Sequence, residues 1–256
     1  MSEDTPHTER RLTRRQTLEI AGAAGGALVL GGAAGKAITG LADGDEVTRA
    51  MAAKACLLSP EVTEGPFYVA LDRIRRDITE GRGGVPLTLR TRVIDVKRCR
   101  PVHKAAVDIW HCDAGGLYSD ESSNGTAGQT FLRGVQLTNK KGFATFRTIY
   151  PGHYTGRATH IHLKVHIGSK ARSGTLTGGH VCHTGQLFFA ESANSGVYAV
   201  SPYSSDTDPR TLNSSDSIYA QAGGTRAEVA LSGSPQPGLI GTIVLGVRPK
   251  ATPSGI

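Results

Sequence analysis

Short runs of alternating apolar and polar residues, separated by turns rich in glycine and proline, make up the chain from Leu87 onward. Alternation with a period of two is typical of strands that place one face on a core, and regular punctuation by turns is typical of sandwiches. The pattern therefore predicts an all-β fold over residues 46–250, an antiparallel β-sandwich with long loops and little helix. The predicted strands are LTLRTRVIDV, AAVDIWHCDA, FATFRTIY, THIHLKVHIG, HTGQLFFA and LIGTIVLGVRP. The weak helix candidates are PEVTEG, LDRIRRDI and SDTDPR.

The predicted strand HIHLKVHI, residues 160–167, has two faces of different chemistry. The apolar face consists of Ile161, Leu163, Val165 and Ile167, and the polar face consists of His160, His162, Lys164 and His166. Imidazoles at positions i and i+2 of a strand point the same way, so His160 and His162 can bind one metal ion. An amphipathic strand whose histidines face water has the same pattern, and this alternative stays open.

Two tyrosines in glycine-containing turns add oxygen donors. Tyr154 follows a Pro-Gly turn in PGHYTGR, six residues before His160, and Tyr118 follows a Gly-Gly turn in DAGGLYSDE. A phenolate is a hard anionic ligand, so two phenolates and two imidazoles form a donor set whose charge matches Fe(III). The alternative is that both tyrosines are ordinary aromatics of turns and strand ends. Trp110 and His111, at the end of a strand, are interpreted as packing and hydrogen-bonding residues.

Composition and charge restrict the partners and the location. The 256 residues carry a formal net charge of +7, but no basic stripe is interleaved with aromatics, so we do not expect nucleic acid to bind. The paired Arg14 and Arg15 precede the run AGAAGGALVLGGAAG, which is the plan of a twin-arginine export signal. Residues 1–45 are predicted to be signal and linker, and the protein is predicted to be exported through the twin-arginine machinery. A disordered basic tail is the alternative.

The four cysteines are predicted to be structural. An even number of cysteines in an exported protein indicates disulfides, and four cysteines allow three pairings. Cys56 precedes the first strand and Cys99 lies in a turn, which favours a bridge that ties the N-terminal arm to the sandwich. Cys112 and Cys182 lie in or beside strands, where they could pair or stay buried.

The motifs resemble those of the intradiol ring-cleavage dioxygenases, which include catechol, hydroxyquinol and protocatechuate dioxygenases and their exported relatives. The resemblance covers roughly residues 56–189. It is carried, in family order, by LSPEVTEGPFYV, RRDITEGRGGVPLTLRTRVID, CRPVHKAAVDIWHCDAGGLYSD, FLRGVQLTNKKGFATFRTIYPGHYTGRATHIHLKV and TGQLFF. It implies that a non-haem Fe(III) is bound by Tyr118, Tyr154, His160 and His162.

The resemblance also implies a reaction, the cleavage of a catechol-type ring by O2 to a muconate-type diacid. Its partners would be a small aromatic diol and O2. Arg157 would stabilise negative charge on the ring, Gln186 would orient Arg157 or the substrate, and Tyr154 would leave the iron and take up a proton. In TEGPFY, the pocket residues would be Thr63, Pro66 and Tyr68. The resemblance leaves the preferred catechol and the oligomeric state open.

Two functions of other classes are alternatives. One is a cupin-like Fe(II) or Zn enzyme that uses His160, His162 and a carboxylate, although the sequence has no clear glutamate at cupin spacing. The other is a non-catalytic, exported, transthyretin-like binding module. A binding module would not need Tyr118, Tyr154 and Arg157 together.

Overall fold

A computed structural model describes residues 56–253, so the predicted signal and linker, residues 1–45, lie outside the described residues. Within this range the chain forms eleven strands, two short α-helices and several single-turn 3₁₀ segments. The strands are β1 (Pro86–Asp95), β2 (Arg100–Pro101), β3 (Ala106–Trp110), β4 (Arg133–Leu137), β5 (Phe143–Ile149), β6 (His160–Ile167), β7 (Lys170–Arg172), β8 (Thr175–Thr177), β9 (His180–Phe188), β10 (Ala230–Ser234) and β11 (Gly238–Val247). The helices are α1 (Glu191–Tyr198) and α2 (Ser217–Gln221).

Two sheets form the sandwich that the sequence predicts. The first has the order β10–β11–β1, with β5 and β2 paired to the other edge of β1, and the second has the order β4–β3–β6–β9. Strand pairs are antiparallel except for β1 and β11, which run parallel in register from Leu87–Leu239 to Asp95–Val247. Both sheets contribute apolar side chains to one buried cluster, which includes Leu89, Val93, Val107, Ile109, Phe146, Ile161, Leu163, Ile243 and Leu245.

The predicted strands are confirmed, but the three helix candidates are wrong. The segment LDRIRRDI is extended, because it forms single bridges at Ile74–Val135 and Asp77–Arg147 and places Ile78 in the core. PEVTEG contains no helical residue either, and Val62 donates its backbone N–H to the carbonyl oxygen of Thr184. SDTDPR has no helical residue beyond the end of a 3₁₀ turn, and α1 and α2 lie elsewhere in the chain. Pairing with neighbouring strands overrides the weak local preference for helix.

Strand β6 shows why the predicted histidine pair is not a solvent-facing pattern. Ile161, Leu163 and Val165 on one face are fully buried in the core. His160 and His162 on the other face are buried as well, with 2% and 0% of their surfaces exposed. We call residues 56–68 the arm. The arm covers this polar face, which therefore faces the protein interior rather than water.

The arm is attached by a disulfide and by backbone hydrogen bonds. Cys56 is joined to Cys99 with their Cα atoms 5.0 Å apart, which is the pairing that the sequence favours. Cys112 and Cys182 remain buried free thiols. None of the helices formed by residues 56–253 is long and apolar enough to cross a membrane.

Candidate metal centre

The four predicted ligands converge on one point beside Nε2 of His160. The Nε2 atom of His162 lies 2.9 Å from Nε2 of His160. The phenol oxygens of Tyr154 and Tyr118 lie 3.3 Å and 3.4 Å from the same nitrogen. Side chains from a strand and from two separate loops thus bring two oxygens and two nitrogens together.

The backbone determines which nitrogen of His160 faces this cluster with a lone pair. Nδ1 of His160 lies 2.6 Å from the carbonyl oxygen of Ala158, and a carbonyl oxygen only accepts hydrogen bonds. Nδ1 therefore carries the proton and donates a hydrogen bond to the carbonyl oxygen of Ala158. The Nε2 atom is left unprotonated, with a lone pair free to bind a metal, as in histidines that bind metals. It faces the two phenol oxygens and Nε2 of His162.

The arrangement fits a metal ion better than it fits a set of hydrogen bonds. Nε2 of His160 has one lone pair, but three polar atoms lie within 3.4 Å of it. Two ligands that each lie about 2.1 Å from one ion, at angles of about 90–110°, are about 3.0–3.4 Å apart. The separations from Nε2 of His160 are 2.9, 3.3 and 3.4 Å, so two lie within this range and the third lies about 0.1 Å below it. The Nδ1 atom of His162 also has no hydrogen-bond partner among the described residues.

Burial determines the protonation states of these side chains. It lowers the pKa of His160 to about 3 and the pKa of His162 well below its ordinary value, so both imidazoles are neutral. Burial also raises the pKa of Tyr118 well above its ordinary value and raises that of Tyr154. A phenolate in this site therefore requires a cation beside it, and a bound trivalent metal would supply that charge.

Tyr118 is the more firmly held of the two phenols. Its ring is 1% exposed and stacks on Phe67 of the arm, with the ring centroids 4.3 Å apart. The next residue, Ser119, is held by the buried guanidinium of Arg133, whose Nε donates to Oγ (2.7 Å) and whose Nη2 donates to the carbonyl oxygen (2.6 Å). Arg133 also donates to the carbonyl oxygen of Phe67, so one arginine braces both the Tyr118 loop and the arm.

His162 is held between an aromatic ring and a glycine. Trp110 stacks on the imidazole at 5.1 Å with an interplanar angle of 6°. On another side, a Cβ atom at Gly65 would lie 3.0 Å from Cε1 of His162. Trp110 is therefore a packing residue, as predicted, and it packs directly against a predicted ligand. His111 is buried and hydrogen-bonded to Cys112 and Thr148, also as predicted.

Arg157 and Gln186 form a chain of hydrogen bonds beside the predicted ligands. Nη2 of Arg157 donates to Oε1 of Gln186 at 2.6 Å, and Nε2 of Gln186 donates to the carbonyl oxygen of Thr63 at 3.0 Å. Nε of Arg157 donates to Oδ2 of Asp216 at 3.0 Å. The charge of Arg157 lowers the pKa of Tyr154, although burial outweighs it.

The arm residues that were predicted to line a pocket occupy different places. Thr63 contacts Gln186 through its backbone, and Pro66 is exposed. Tyr68 lies behind the centre, where its ring packs on Trp110 and its hydroxyl donates to Asp108. The arm residue that faces the predicted ligands is Phe67, which contacts the rings of both tyrosines.

Three residues of the site were not predicted from the sequence. Phe67 and Gly65 lie within the TEGPFY motif, and their neighbours there were the signal that could have found them. Asp216 lies far along the chain in no recognised motif. Among residues 56–253, no group of three or more His, Cys, Asp or Glu side chains could hold a metal ion.

Comparisons with known proteins agree with the fold. A family profile described as "Dioxygenase" matches residues 63–173. The structure is similar to an intradiol ring-cleavage dioxygenase from Tetranychus urticae, with 34% identity, a TM-score of 0.70, and coverage of 78% of this chain and 98% of that chain. It is also similar to the dioxygenase domain of a dioxygenase–carbohydrate-binding protein fusion from Streptomyces sp. SirexAA-E, with 29% identity, a TM-score of 0.52, and coverage of 75% and 99%.

A curated relative matches over a shorter stretch. Catechol 1,2-dioxygenase 1 from Acinetobacter lwoffii is 32% identical over 101 residues, which is 38% of this chain and 32% of that protein. The chain thus matches about a third of the length of this relative.

The fold and the site together define a β-sandwich protein with a buried centre of two phenols and two imidazoles. The chain belongs to the intradiol ring-cleavage dioxygenase family.

Proposed function

We propose that the protein is a non-haem Fe(III)-dependent intradiol dioxygenase that cleaves catechol-type rings with O2 to muconate-type diacids. One observation carries the proposal, the convergence of Tyr118, Tyr154 and His162 on Nε2 of His160 within 3.4 Å. The names of the relatives, an intradiol ring-cleavage dioxygenase and a catechol 1,2-dioxygenase, support the same reaction and substrate class.

The donor set favours Fe(III) over Zn or Fe(II). Two phenolates and two neutral imidazoles bring two negative charges, and hard anionic oxygens suit a trivalent ion. When bound there, Fe(III) would supply a Lewis-acidic centre that holds the two diol oxygens and allows the electron-rich ring to react with O2.

The two tyrosines differ in a way that assigns them different roles. Tyr118 is fully buried and stacks on Phe67, and the next residue, Ser119, is hydrogen-bonded to Arg133. Tyr118 is therefore suited to remain a ligand. Tyr154 is only partly buried and lies in a turn that exposes Thr155 and Gly156. Its phenol oxygen is therefore the atom suited to move aside and take a proton from the incoming diol.

Arg157 supplies a fixed positive charge beside Tyr154. Hydrogen bonds to Gln186 and Asp216 hold its guanidinium before substrate arrives, so little reorganisation is needed when negative charge develops on the ring. Fixed donors of this kind are worth about a hundredfold to a thousandfold in rate. Phe67 packs beside both phenols and excludes water from that side of the centre.

The visible spectrum and oxygen uptake of the purified protein test this function. Iron-loaded protein is expected to be red-brown through phenolate-to-iron charge transfer, to change colour with catechols, and to consume one O2 for each muconate-type product. Colourless iron-loaded protein, or an extradiol product, would contradict the proposal.

Substitution of each tyrosine separates their roles. Tyr118→Phe is expected to lose most of the colour and much of the iron. Tyr154→Phe should retain more iron but lose most turnover, because that oxygen takes the proton. Equal turnover of Tyr154→Phe and the parent would contradict the assignment.

We also propose that the chain is exported through the twin-arginine route. The pair Arg14–Arg15 before an Ala/Gly-rich run supports this, and the bridge Cys56–Cys99 is of a kind that persists in oxidising compartments. Replacing both arginines by lysine is expected to leave the protein in the cytoplasmic fraction of a twin-arginine-competent bacterium. Unchanged export of the variant would contradict the route.

A further inference from the structure

The buried carboxylate of Asp216 contacts two residues beside the predicted ligands, Arg157 and Ala158. It lies outside residues 63–173, the segment that matches the dioxygenase profile. Asp216 is 4% exposed and lies 59 residues after Arg157. It is the N-cap residue of α2, where Oδ1 accepts hydrogen bonds from the backbone N–H groups of Ile218 (2.8 Å) and Tyr219 (3.4 Å). This part of its role is local and structural.

The second oxygen of Asp216 points at the site. Oδ2 accepts from Nε of Arg157 at 3.0 Å and from the backbone N–H of Ala158 at 2.9 Å. Its two oxygens thus accept four hydrogen bonds, two from α2 and two from the segment that leads into β6. The bond from the guanidinium joins two charged groups, which makes it stronger than a neutral hydrogen bond.

These bonds limit the orientations that Arg157 can take. Asp216 holds its Nε, and Gln186 holds its Nη2 at 2.6 Å. The amide of Gln186 is itself fixed by the carbonyl of Thr63 in the arm. A planar guanidinium held at two nitrogens by different partners has a defined plane and direction.

Asp216 also fixes the residue that orients a predicted metal ligand. It holds the N–H of Ala158, and the carbonyl of Ala158 accepts the Nδ1 proton of His160 at 2.6 Å. One carboxylate is therefore connected both to the arginine and, through one residue of backbone, to the imidazole of His160.

We infer that Asp216 is a positioning residue for Arg157 in the reaction proposed above, on which the kinetic part of this inference rests. It is not one of the four predicted metal ligands. It holds the guanidinium in the orientation in which its charge faces the reacting ring, and it anchors the segment between Tyr154 and His160 to α2.

The variant Asp216→Ser separates positioning from helix capping. Serine is as good an N-cap residue as aspartate, so the bonds to α2 can be kept, but its side chain is shorter and uncharged and loses the bond to Arg157. Turnover is expected to fall about 10- to 100-fold, the scale of a misplaced catalytic group, with most of the iron retained because all four predicted ligands are still present. Asp216→Asn, which places an amide against the guanidinium, should lose turnover similarly and serves if the serine variant does not fold.

A double-mutant cycle tests whether Asp216 acts through Arg157. In the Arg157→Ala background, Asp216→Ser is expected to lower turnover much less than it does in the parent, because only its bond to Ala158 is left to lose. Losses that multiply would overturn the inference. Asp77→Ser is the matched control, since it removes another aspartate–arginine pair, Asp77–Arg147 at 3.8 Å, on the surface. This control should retain the parent's turnover.

A measurement that does not depend on turnover tests the role of Asp216 separately from the proposed dioxygenase reaction. In the full chain loaded with diamagnetic Ga(III), the Nε–H resonance of Arg157, assigned from its absence in Arg157→Ala, should exchange slowly with solvent. Exchange should become fast in Asp216→Ser and stay slow in Asp77→Ser. If the resonance stays protected in Asp216→Ser, Asp216 does not hold Arg157. If it loses protection but the parent cleaves no catechol, the contact stands and the proposed reaction fails.

Discussion

A single glycine determines how closely the arm approaches a predicted metal ligand. Gly65 adopts a φ of +73°, and its N–H donates to Oγ1 of Thr63 at 3.1 Å. A Cβ at this position would lie 3.0 Å from Cε1 of His162, closer than ordinary van der Waals contact. The glycine thus has two roles, a left-handed backbone and close contact with an imidazole.

Gly65→Ala is expected to weaken metal binding specifically. Gly81→Ala is a matched control, because Gly81 has a φ of +80° and a Cβ added there would meet no atom within 4 Å. Both variants should lose about 1–2 kcal/mol of stability from the left-handed backbone. Only Gly65→Ala must also displace the His162 ring. Iron per chain after dialysis against a chelator should fall in Gly65→Ala and stay at the parent's value in Gly81→Ala; equal iron retention would contradict this account.

Strand β6 shows which features of the site the sequence could predict and which it could not. Alternation alone assigned Ile161 and Leu163 to the core and the histidines to the other face, because side-chain direction in a strand follows from period two. Alternation could not say whether the histidines face water or protein. That depends on the arm, which reaches β6 from a much earlier part of the chain.

The residues that were missed reach the centre through contacts that no local pattern encodes. Phe67 is one of two aromatics in TEGPFY, and only the bend of the arm decides that Phe67 faces Tyr118 while Tyr68 packs behind Trp110. Asp216 comes from a loop before α2 in which the sequence offers only a capping aspartate. The parallel pair β1–β11 likewise joins the two ends of the sandwich, beyond the reach of hairpin signals.

A buried histidine directly after strand β3 makes stability depend on pH. His111 donates Nδ1–H to the carbonyl of Cys112 at 2.7 Å and lies 2.7 Å from Oγ1 of Thr148 through Nε2. Burial lowers the pKa of His111 to about 4 from an ordinary value of 6.5. The unfolded chain therefore takes up this proton first as the pH falls.

The sign of the effect follows from that order of protonation. The contribution of His111 is fully present above pH 6.5, and it is lost as the pH falls from about 6.5 to about 4, by up to about 1.4 kcal/mol per pH unit. His111→Gln should be less stable at pH 7 but should lose less stability over this window. Denaturant unfolding at several pH values measures the difference. The exposed His103→Gln controls for replacing a histidine by glutamine. Parallel curves for the parent and His111→Gln would contradict the assignment.

At the scale of the whole molecule, the arm connects the two sheets and covers the centre. Ser59 donates its N–H to Gly246 of β11, and Val62 donates to Thr184 of β9. Further along, the carbonyl of Phe67 accepts from Arg133 of β4. The arm holds Gly65 and Phe67 against the predicted ligands by these contacts and by the disulfide at its beginning.

The bridge between Cys56 and Cys99 should therefore matter more for substrate binding than for metal binding. The two residues are 43 positions apart, and closing a loop of that length stabilises a protein by at most about 4 kcal/mol in the chain-entropy estimate. Cys56→Ser with Cys99→Ser is expected to lower the unfolding temperature by several degrees and to raise KM for a catechol severalfold, because Phe67 and Thr63 lose their anchor. The colour and iron content should remain, since none of Tyr118, Tyr154, His160 and His162 lies on the arm.

Dithiothreitol should reproduce the effect in the parent and leave the double variant unchanged, as Cys112 and Cys182 are free thiols. A parent whose unfolding temperature does not respond to the reductant, or whose oxidised form titrates four thiols, would show that the bridge does not form.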